Sequence, residues 1–259
     1  MIVRNEEERS TIIEAGKRLG MVLEELEALV RPGITPQELN QHAEKRIAEF
    51  GDIPSFKGYS PEGADYPFPA ALCVSVNDEV VHGIPSGERV FKEGDIVSLD
   101  LGLTHDGLVA DSAVTVPVGK IDTKLQQLLD VTALALDNAI AAARPGNRIG
   151  DISAATGKTF EKIDFSVVKI LGGHGVGRSV HEEPWIANDG HPGTGPEIVH
   201  GMVLALEPIA NLGKASVLLA PDGYTYRTRD GLPSAHFEHT ILIEEKETSV
   251  LTHRSKERS

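Results

Sequence analysis

Two aspartates, Asp100 and Asp111, lie inside the apolar stretch VSLDLGLTHDGLVADSAVT at residues 97–115. Carboxylates are depleted from β-strands, and two that are close together and partly desolvated raise one another's pKa. Such a pair stays ionised only when positive charge lies between its members. A divalent cation supplies that charge, and bridging carboxylates can hold two such ions ~3.5–4 Å apart. The pair therefore indicates a metal site, and a solvated acid pair at a strand edge is the alternative.

The turn between the two strands fixes how these acids are arranged. Asp106 and Gly107 predict a two-residue type I′ turn, which requires positive φ at both central positions. In that register Asp111 faces Gly102, and both acids lie on one face as diagonal neighbours with Cα atoms ~7–8 Å apart. Gly102 is expected to leave space between the carboxylates. The opposite face of the first strand carries a row of core residues: Val97, Leu99, Leu101 and Leu103.

Further residues of ligand type follow in the second half of the chain. The segment GGHGVGRSVHEEP, 172–184, holds His174 and His181, and its glycines favour an extended segment or loop. A satisfied core histidine and a phosphate-binding loop are alternatives, although neither phosphate-loop pattern, GxGxxG or GxxxxGK[ST], is present. Glu207 in ALEP and Glu238 in HFEHT follow apolar residues, where an unpaired carboxylate is costly. Together these residues favour one shared metal centre.

Helical spacing and stop signals predict the helices that must support this centre. A capping box of Thr35 and Glu38 begins the second helix, Gln126 stands in the capping-box position for a third helix starting at Thr123, and Asp151 is the expected cap of the fourth. Residues 51–70 are predicted to form a loop, and residues 165–244 strands and loops. The predicted helices run from Glu7 to Val30, Pro36 to about Phe50, Thr123 to Ala143, and Asp151 to about Lys162.

The order of elements repeats along the chain. A helix, Arg-Pro-Gly, a capped helix and strands occur from residue 7 and again from residue 123. The run DIVSLDL (95–101) has a counterpart in MVLALEP (202–208), and Asp111 and Glu238 lie in the next strand of each half. We interpret this as an internal duplication of roughly 110 residues, with chance similarity of helix-stop motifs as the alternative. Each half would deliver two acids to the middle of one domain.

Bulk composition disfavours several classes of protein. The formal charge of −14 argues against binding to a nucleic-acid backbone, which requires clustered Lys and Arg. No run approaches the ~20 apolar residues of a membrane span, and the N-terminal residues lack the apolar core of a signal peptide. The single cysteine, Cys73, excludes an internal disulfide framework. The expected location is the cytoplasm, with neither a nucleic-acid nor a membrane partner.

In combination, five motifs resemble the type I methionine aminopeptidases, which have the pita-bread fold: CVSVNDEVVHGIP (73–85), DLGLTHDGLVAD (100–111), GHGVGRSVHEEP (173–184), ALEP (205–208) and HFEHT (236–240). The likeness runs from the first helix to near the end of the chain. It implies an α+β fold with pseudo-twofold halves of antiparallel sheet and helix pairs on the outside. It further implies one catalytic domain over residues 1–252. Residues 253–259 are expected to form a disordered tail, because chain ends are commonly poorly ordered.

The resemblance assigns five ligands to two divalent metal ions: Asp100, Asp111, His174, Glu207 and Glu238. Asp111 and Glu238 would bridge the ions, Asp100 would complete one site, and His174 with Glu207 the other. This donor set suits Mn²⁺, Fe²⁺ or Co²⁺ and admits Zn²⁺. The resemblance also implies a water nucleophile activated by the ions, with Glu207 as the general base.

Residues that contact substrate are assigned by the same likeness. His181 would contact the scissile carbonyl oxygen, and His82 would lie near the scissile amide nitrogen and the residue after methionine. Phe68, Cys73 and Tyr224 would line the methionine pocket. For Cys73, a role as a small buried core residue is an equally open alternative.

Three features depart from the family pattern. Val180 stands where many relatives carry phenylalanine, and Tyr224 stands where many carry tryptophan. The loop YSPEGADYP (59–67) is longer than usual. These departures concern the shape of the pocket and leave the metal ligands unchanged.

The resemblance implies removal of the initiator methionine from new polypeptides whose second residue is small. It also favours a monomer, with transient ribosome contact as a family-level expectation. One rival is a proline-specific peptidase of the same fold, but such relatives usually carry a further N-terminal domain, and two helices and a loop fill the chain before His82. The other rival is a non-catalytic binding module, which typically loses several ligands, whereas all five are present here.

Overall fold

The computed structural model describes residues 1–61, 63–255 and 257. Within them, each of the four predicted helices is confirmed to within two residues: α1 (Glu6–Leu29), α2 (Pro36–Glu49), α3 (Thr123–Ala142) and α4 (Ile149–Phe160). The capping box of Thr35 and Glu38 forms as predicted. Among the described residues, none of the helices combines the length and apolar character that crossing a bilayer requires.

The starts of α3 and α4 differ from the prediction. The cap of α3 is Asp122, not Thr123, and its carboxylate accepts two first-turn N–H groups. The cap position of α4 is Arg148, and Asp151 is the third helical residue, whose carboxylate accepts the Arg148 N–H at 2.7 Å. In both helices an acid satisfies first-turn donors that would otherwise lack a partner. The sequence pattern located Asp151 correctly but gave it the wrong position in the helix.

The described strands form four sheets in which every pairing is antiparallel. One sheet has the order β1-β4-β2 with β5 also paired to β4, and another has the order β15-β14-β9-β7-β8; the two smaller sheets are β13-β10-β6 and β11-β12-β3. The strands are β1 (Ile53–Pro54), β2 (Leu72–Val76), β3 (Glu79–Val81), β4 (Ile96–His105), β5 (Leu108–Pro117), β6 (Ser166–Val167), β7 (Gly172–Gly175), β8 (Glu182–Ala187), β9 (Val203–Leu206), β10 (Ile209–Asn211), β11 (Val217–Leu219), β12 (Tyr226–Thr228), β13 (Ser234–His236), β14 (His239–Ile243) and β15 (Thr248–Val250).

Two similar halves meet along β5. Helix α1 packs on β4 and β5 and α2 on β2, whereas α3 packs on β10 and β13 and α4 on β8. The halves join where the Glu238 N–H donates to the Ala113 carbonyl at 2.8 Å and the Asp111 N–H donates to Thr240 Oγ1 at 2.9 Å. This arrangement confirms the predicted α+β class of antiparallel sheets with helix pairs. It also brings the acids of both halves to one seam.

The hairpin of β4 and β5 has the predicted register. Asp106 and Gly107 have φ values of 43° and 80°, and Asp111 pairs with Gly102. Asp100 is 8% exposed and Asp111 is 3% exposed, which excludes the solvated strand edge. The residues of the predicted core row are fully buried: Val97, Leu99, Leu101 and Leu103.

Two details near these acids differ from the sequence-based expectation. The space left by Gly102 is taken by the ring of Phe56, since a Cβ at position 102 would lie 2.7 Å from its Cε1 atom. Glu238 lies in the short break between β13 and β14 rather than inside a strand. The break occurs because the chain passes there from the sheet of β10 to the sheet of β9.

The described part of the C-terminal segment is packed, contrary to the predicted disorder from residue 253. Arg254 is 3% exposed, and its guanidinium pairs with Glu27 on α1 at 3.0 Å and also with Glu257. The pair with Glu27 holds this segment against α1. Lys256, Arg258 and Ser259 lie outside the described residues, and the domain limit at residue 252 stays a prediction.

Gly16 on α1 tests this packing. A Cβ at Gly16 would lie 2.6 Å from Leu251 Cβ and 2.7 Å from the Leu251 carbonyl oxygen. Overpacking of that kind costs ~1–3 kcal/mol, against ~1 kcal/mol gained in helix propensity. We therefore expect Gly16→Ala to lower the free energy of unfolding by about 1–2 kcal/mol in urea denaturation.

The control for this variant is Lys17→Ala, one residue along α1 and exposed. Its free energy of unfolding should stay within ~0.5 kcal/mol of the parent value. A gain in stability for Gly16→Ala would contradict the close packing of residue 251 on α1.

Candidate metal centre

A cavity that opens to solvent holds the site residues predicted from sequence. It is lined by all ten of them: Phe68, Cys73, His82, Asp100, Asp111, His174, His181, Glu207, Tyr224 and Glu238. Phe56, Tyr59, Pro61 and His236 also line the cavity and were not predicted. Val180, one of the three departures from the family pattern, packs in the hydrophobic core.

Three buried residues form a group suited to a metal ion. Asp111, His174 and Glu238 each offer one ligand atom, and these atoms all lie within 4.8 Å of one another. Asp111 Oδ1 and Glu238 Oε1 are buried without a hydrogen-bond partner among the described residues. A buried carboxylate oxygen without compensation is costly. A divalent cation compensates such oxygens, so this donor set fits a metal.

The orientation of His174 follows from its own strand. Its Nδ1 lies 2.9 Å from the Gly175 carbonyl oxygen, which can only accept, so Nδ1 carries the hydrogen. Nε2 is thereby directed into the cavity, 3.5 Å from Glu207 Oε1. Gly175 is required because a Cβ there would lie 2.2 Å from the carbonyl oxygen of Glu183 on the neighbouring strand. Close strand packing thus fixes this imidazole.

The acids of the cavity differ in their tendency to ionise. Burial raises the pKa of Asp100 to about 7. Burial, with the neighbouring carboxylates, raises the pKa values of Asp111 and Glu238 well above their ordinary range. Burial also opposes ionisation of Glu207, but close contact with His236 and the charges of His236 and His174 lower its pKa overall. Among these four acids, Glu207 is the one whose pKa lies below its ordinary value.

Two histidines lie near the mouth of the cavity. Desolvation lowers the pKa values of His82 and His181 to about 4, so both rings are neutral at pH 7. His181 Nδ1 lies 3.0 Å from the Tyr59 hydroxyl, and its ring contacts that of His174 with centroids 4.6 Å apart. His82 has φ of 59°, an uncommon value for a residue other than glycine. A neutral imidazole can donate one hydrogen bond to a substrate oxygen or nitrogen.

Apolar side chains form the wall beside these polar groups. Cys73 is buried and is paired across β2 and β4 with Asp100. Burial and the nearby acids raise the pKa of the Cys73 thiol, so it stays protonated and acts as a small apolar group. Cys73 is therefore a small buried residue that also lines the cavity. Phe68 and Tyr224 pack edge to face with centroids 5.2 Å apart.

Tyr224 is linked to the long loop at residues 59–67, of which Glu62 lies outside the described residues. The Tyr224 hydroxyl donates to the Tyr66 carbonyl oxygen, and the Tyr66 hydroxyl donates to the Asp222 carbonyl oxygen at 2.6 Å. Two of the three departures from the family pattern are therefore in contact with one another.

Among the lining residues that were not predicted, His236 is marked by a pattern in the sequence, whereas Phe56 and Tyr59 are not. His236 and Glu238 alternate in HFEHT, and alternate residues of an extended segment point to the same side. That spacing could have identified His236. Phe56 and Tyr59 stand in the Pro- and Gly-rich loop, where no periodicity indicates direction.

Comparison with known proteins decides the family. The model of Metallopeptidase family M24 matches residues 10–245. The chain belongs to metallopeptidase family M24. This M24 chain is 43% identical over 250 residues to "Methionine aminopeptidase" of Aquifex aeolicus (strain VF5), covering 96% of the chain and 97% of that relative. It is therefore a peptide hydrolase of a metal-dependent family.

Solved structures agree with this family. The crystal structure of a methionine aminopeptidase from Thermotoga maritima superposes with a TM-score of 0.93 at 42% identity, covering 98% of this M24 chain and 100% of that chain. An Xaa-Pro dipeptidase from Bacillus anthracis matches with a TM-score of 0.75 at 22% identity, covering 99% of this chain and 63% of that one. The second likeness shows the fold alone. The predicted pita-bread fold is confirmed.

Proposed function

We propose that this M24 metallopeptidase removes the N-terminal methionine from new polypeptides whose second residue is small. The observation that carries the proposal is one cavity in which the metal-ligand group lies beside an apolar wall of Phe68, Cys73 and Tyr224. Such a wall suits an unbranched apolar side chain held next to the reacting bond. Relatives named methionine aminopeptidase match nearly the whole chain, which supports the same substrate class.

The proposed centre would hold two divalent ions through the five predicted ligands, and Asp111 and Glu238 would contribute to both sites. Asp100 would complete one site, and His174 with Glu207 the other. When bound, the ions polarise the scissile carbonyl and lower the pKa of a water molecule. Mn²⁺, Fe²⁺, Co²⁺ and Zn²⁺ all suit this mixture of carboxylates and one imidazole.

The side chains of the cavity account for the proton transfers. Glu207 ionises most readily among the buried acids, so it can accept a proton from water and return it to the leaving amine. His181, neutral and at the mouth of the cavity, donates a hydrogen bond to the carbonyl oxygen as negative charge develops. His82 would face the scissile nitrogen. The wall holds the methionine side chain while these transfers occur.

The experiment that tests this function compares peptides on metal-free protein reloaded with each divalent metal in turn. We expect cleavage of Met-Ala-Ser, with cleavage of Met-Leu-Ser slower by at least tenfold, roughly the discrimination that pocket size provides. Cleavage of Ala-Pro in place of Met-Ala-Ser would favour the proline-specific peptidase. Bound metal without cleavage of any peptide would favour a binding module.

The proposed substrate places the activity in the cytoplasm, where polypeptide synthesis exposes the initiator methionine. Transient contact with the ribosome and a monomeric state stay predictions from the family resemblance. The net charge of −14 supports the absence of a nucleic-acid partner.

Removing the hydroxyl of Tyr224 tests the contribution of the 59–67 loop. Tyr224→Phe keeps the ring in the wall but deletes the hydrogen bond to the Tyr66 carbonyl oxygen. Without this hydrogen bond, the closed position of the 59–67 loop should be less favourable by ~0.5–1.5 kcal/mol. KM for Met-Ala-Ser should therefore rise about 2–10-fold. The value of kcat should stay within about twofold, because the polar groups of the site are unchanged.

Steady-state kinetics measure this effect, and Tyr66→Phe provides the matched variant. It deletes the other hydrogen bond of the pair, to the Asp222 carbonyl oxygen, so KM should move in the same direction. Unchanged KM in both variants would show that the loop does not contribute to substrate binding.

A further inference from the structure

His236 has no part in the ligand set or in the proton transfers described above. It ends β13, is 2% exposed, and lines the cavity. Neither ring nitrogen has an aligned hydrogen-bond partner among the described residues. Buried polar side chains in folded proteins nearly always have hydrogen-bond partners, so a buried imidazole without one requires an explanation.

The contacts of the His236 ring are with acids. Nε2 lies 3.3 Å from Glu207 Oε2 and 3.9 Å from Glu238 Oε2. Carboxylate oxygens accept hydrogen bonds, so this environment favours the tautomer with hydrogen on Nε2. A protonated Nε2 cannot bind a metal. His236 is also outside the group of ligand atoms formed by Asp111, His174 and Glu238.

The carboxylate of Glu207 lies between two imidazoles. Oε1 is 3.5 Å from His174 Nε2, and Oε2 is 3.3 Å from His236 Nε2. The two rings therefore distinguish its oxygens: Oε1 is directed toward a predicted ligand, and Oε2 faces a donor. Partners of this kind orient metal ligands and tune their basicity.

The backbone of His236 is held by the strand that carries Asp111. The His236 N–H donates to Thr115 Oγ1 at 2.8 Å, and the Thr115 hydroxyl donates to the His236 carbonyl oxygen at 2.8 Å. Thr115 is itself buried on β5. The ring is thus attached to a rigid element from the other half of the molecule.

We propose that His236 is a positioning residue whose Nε2, in contact with Glu207 Oε2 at 3.3 Å, keeps Glu207 Oε1 facing His174 and the metal site. This proposal rests on the proposed function, because it takes Glu207 as a ligand and general base. It predicts that loss of the imidazole weakens metal binding while the methionine wall stays intact.

The test titrates Co²⁺ alone into metal-free protein by calorimetry and records the visible absorption of the bound ion. His236→Leu should bind the affected ion ~10–100-fold more weakly, with an altered spectrum. His236→Gln keeps an N–H donor on a side chain of similar reach and should stay within about threefold of the parent. His200→Gln, at an exposed histidine, is the matched control and should be unchanged.

Two results would overturn the proposal. Equal affinity and spectrum for His236→Leu and the parent would show that the ring does not position Glu207. Binding as weak in His236→Gln as in His236→Leu would show that the imidazole itself is a ligand. If the parent protein binds no Co²⁺, the proposed metal centre itself fails, which is a distinguishable result.

Enzyme kinetics and NMR test the proposal without requiring that His236→Leu folds. His236→Gln should keep the parent KM for Met-Ala-Ser, and any change should be in kcat. In Zn²⁺-loaded parent protein with ¹⁵N-labelled histidine, the resonance assigned through His236→Gln should show hydrogen on Nε2. A hydrogen-free Nε2 would overturn the proposal even if His236→Leu does not fold.

Discussion

Replacing Asp111 by asparagine should abolish peptide hydrolysis and reduce the metal bound by the protein. The side chain keeps its size and loses the charge that a shared ligand supplies to both ions. Asp111 is 3% exposed, and its Oδ1 has no hydrogen-bond partner among the described residues. An amide compensates cationic charge poorly at such a position, so activity should fall below about 1% of the parent value.

The measurement is metal content by mass spectrometry together with hydrolysis of Met-Ala-Ser. Burial raises the pKa of Asp111, so the ionised carboxylate destabilises the metal-free folded protein. The metal-free variant should therefore be no less stable in urea than the metal-free parent. This separates a lost ligand from a lost fold.

The matched control is Asp130→Asn on α3. Asp130 is exposed and accepts a hydrogen bond from Gln126, remote from the cavity lining. It should retain full activity and metal. An Asp111→Asn protein with parent activity and unreduced metal content would remove Asp111 from the ligand set.

The hairpin could be predicted because its information is local. Asp106 and Gly107 specify a turn, the turn fixes the register, and the register fixes which face Asp111 shares with Asp100. Each step depends on residues within one short segment. The same is true of the helices, whose stop signals and apolar spacing gave their limits to within two residues.

The contacts of Glu207 could not be predicted in this way, because they join segments that are far apart in the chain. Glu207 directly follows β9 and meets His174 on β7, the neighbouring strand of the same sheet, and it meets His236 on β13, which belongs to another sheet. No pairing rule relates residues so far apart in the chain. Residue type and the family resemblance both indicated Glu207 and His174, whereas His236 was not predicted, although its alternation with Glu238 could have identified it.

Smaller errors had the same origin. Gly102 was expected to leave space between two acids, but Phe56 from the preceding loop fills that space. Residues 253–259 were expected to form a disordered tail because chain ends are commonly poorly ordered, but Arg254 is buried and pairs with Glu27 on α1. In both positions, a contact distant in sequence decided the structure.

His181→Ala should lower kcat by roughly 10²–10³-fold and leave the bound metal unchanged, the usual effect of removing one donor to a developing oxyanion. The ring lines the cavity, with Nδ1 3.0 Å from the Tyr59 hydroxyl and its centroid 4.6 Å from that of His174 in an edge-to-face arrangement. Desolvation lowers the pKa of His181 to about 4. The donor is therefore the neutral ring, and its contribution should persist across the neutral pH range.

Metal content, kcat and KM for Met-Ala-Ser distinguish the roles that His181 could have. A fall in kcat with unchanged metal supports a donor to the carbonyl oxygen, whereas loss of metal would make His181 a ligand. Tyr59→Phe removes the hydroxyl beside Nδ1 but keeps the imidazole, so it should lower kcat by only about tenfold or less. If Tyr59→Phe were as damaging as His181→Ala, the hydroxyl rather than the imidazole would be the group that stabilises the transition state.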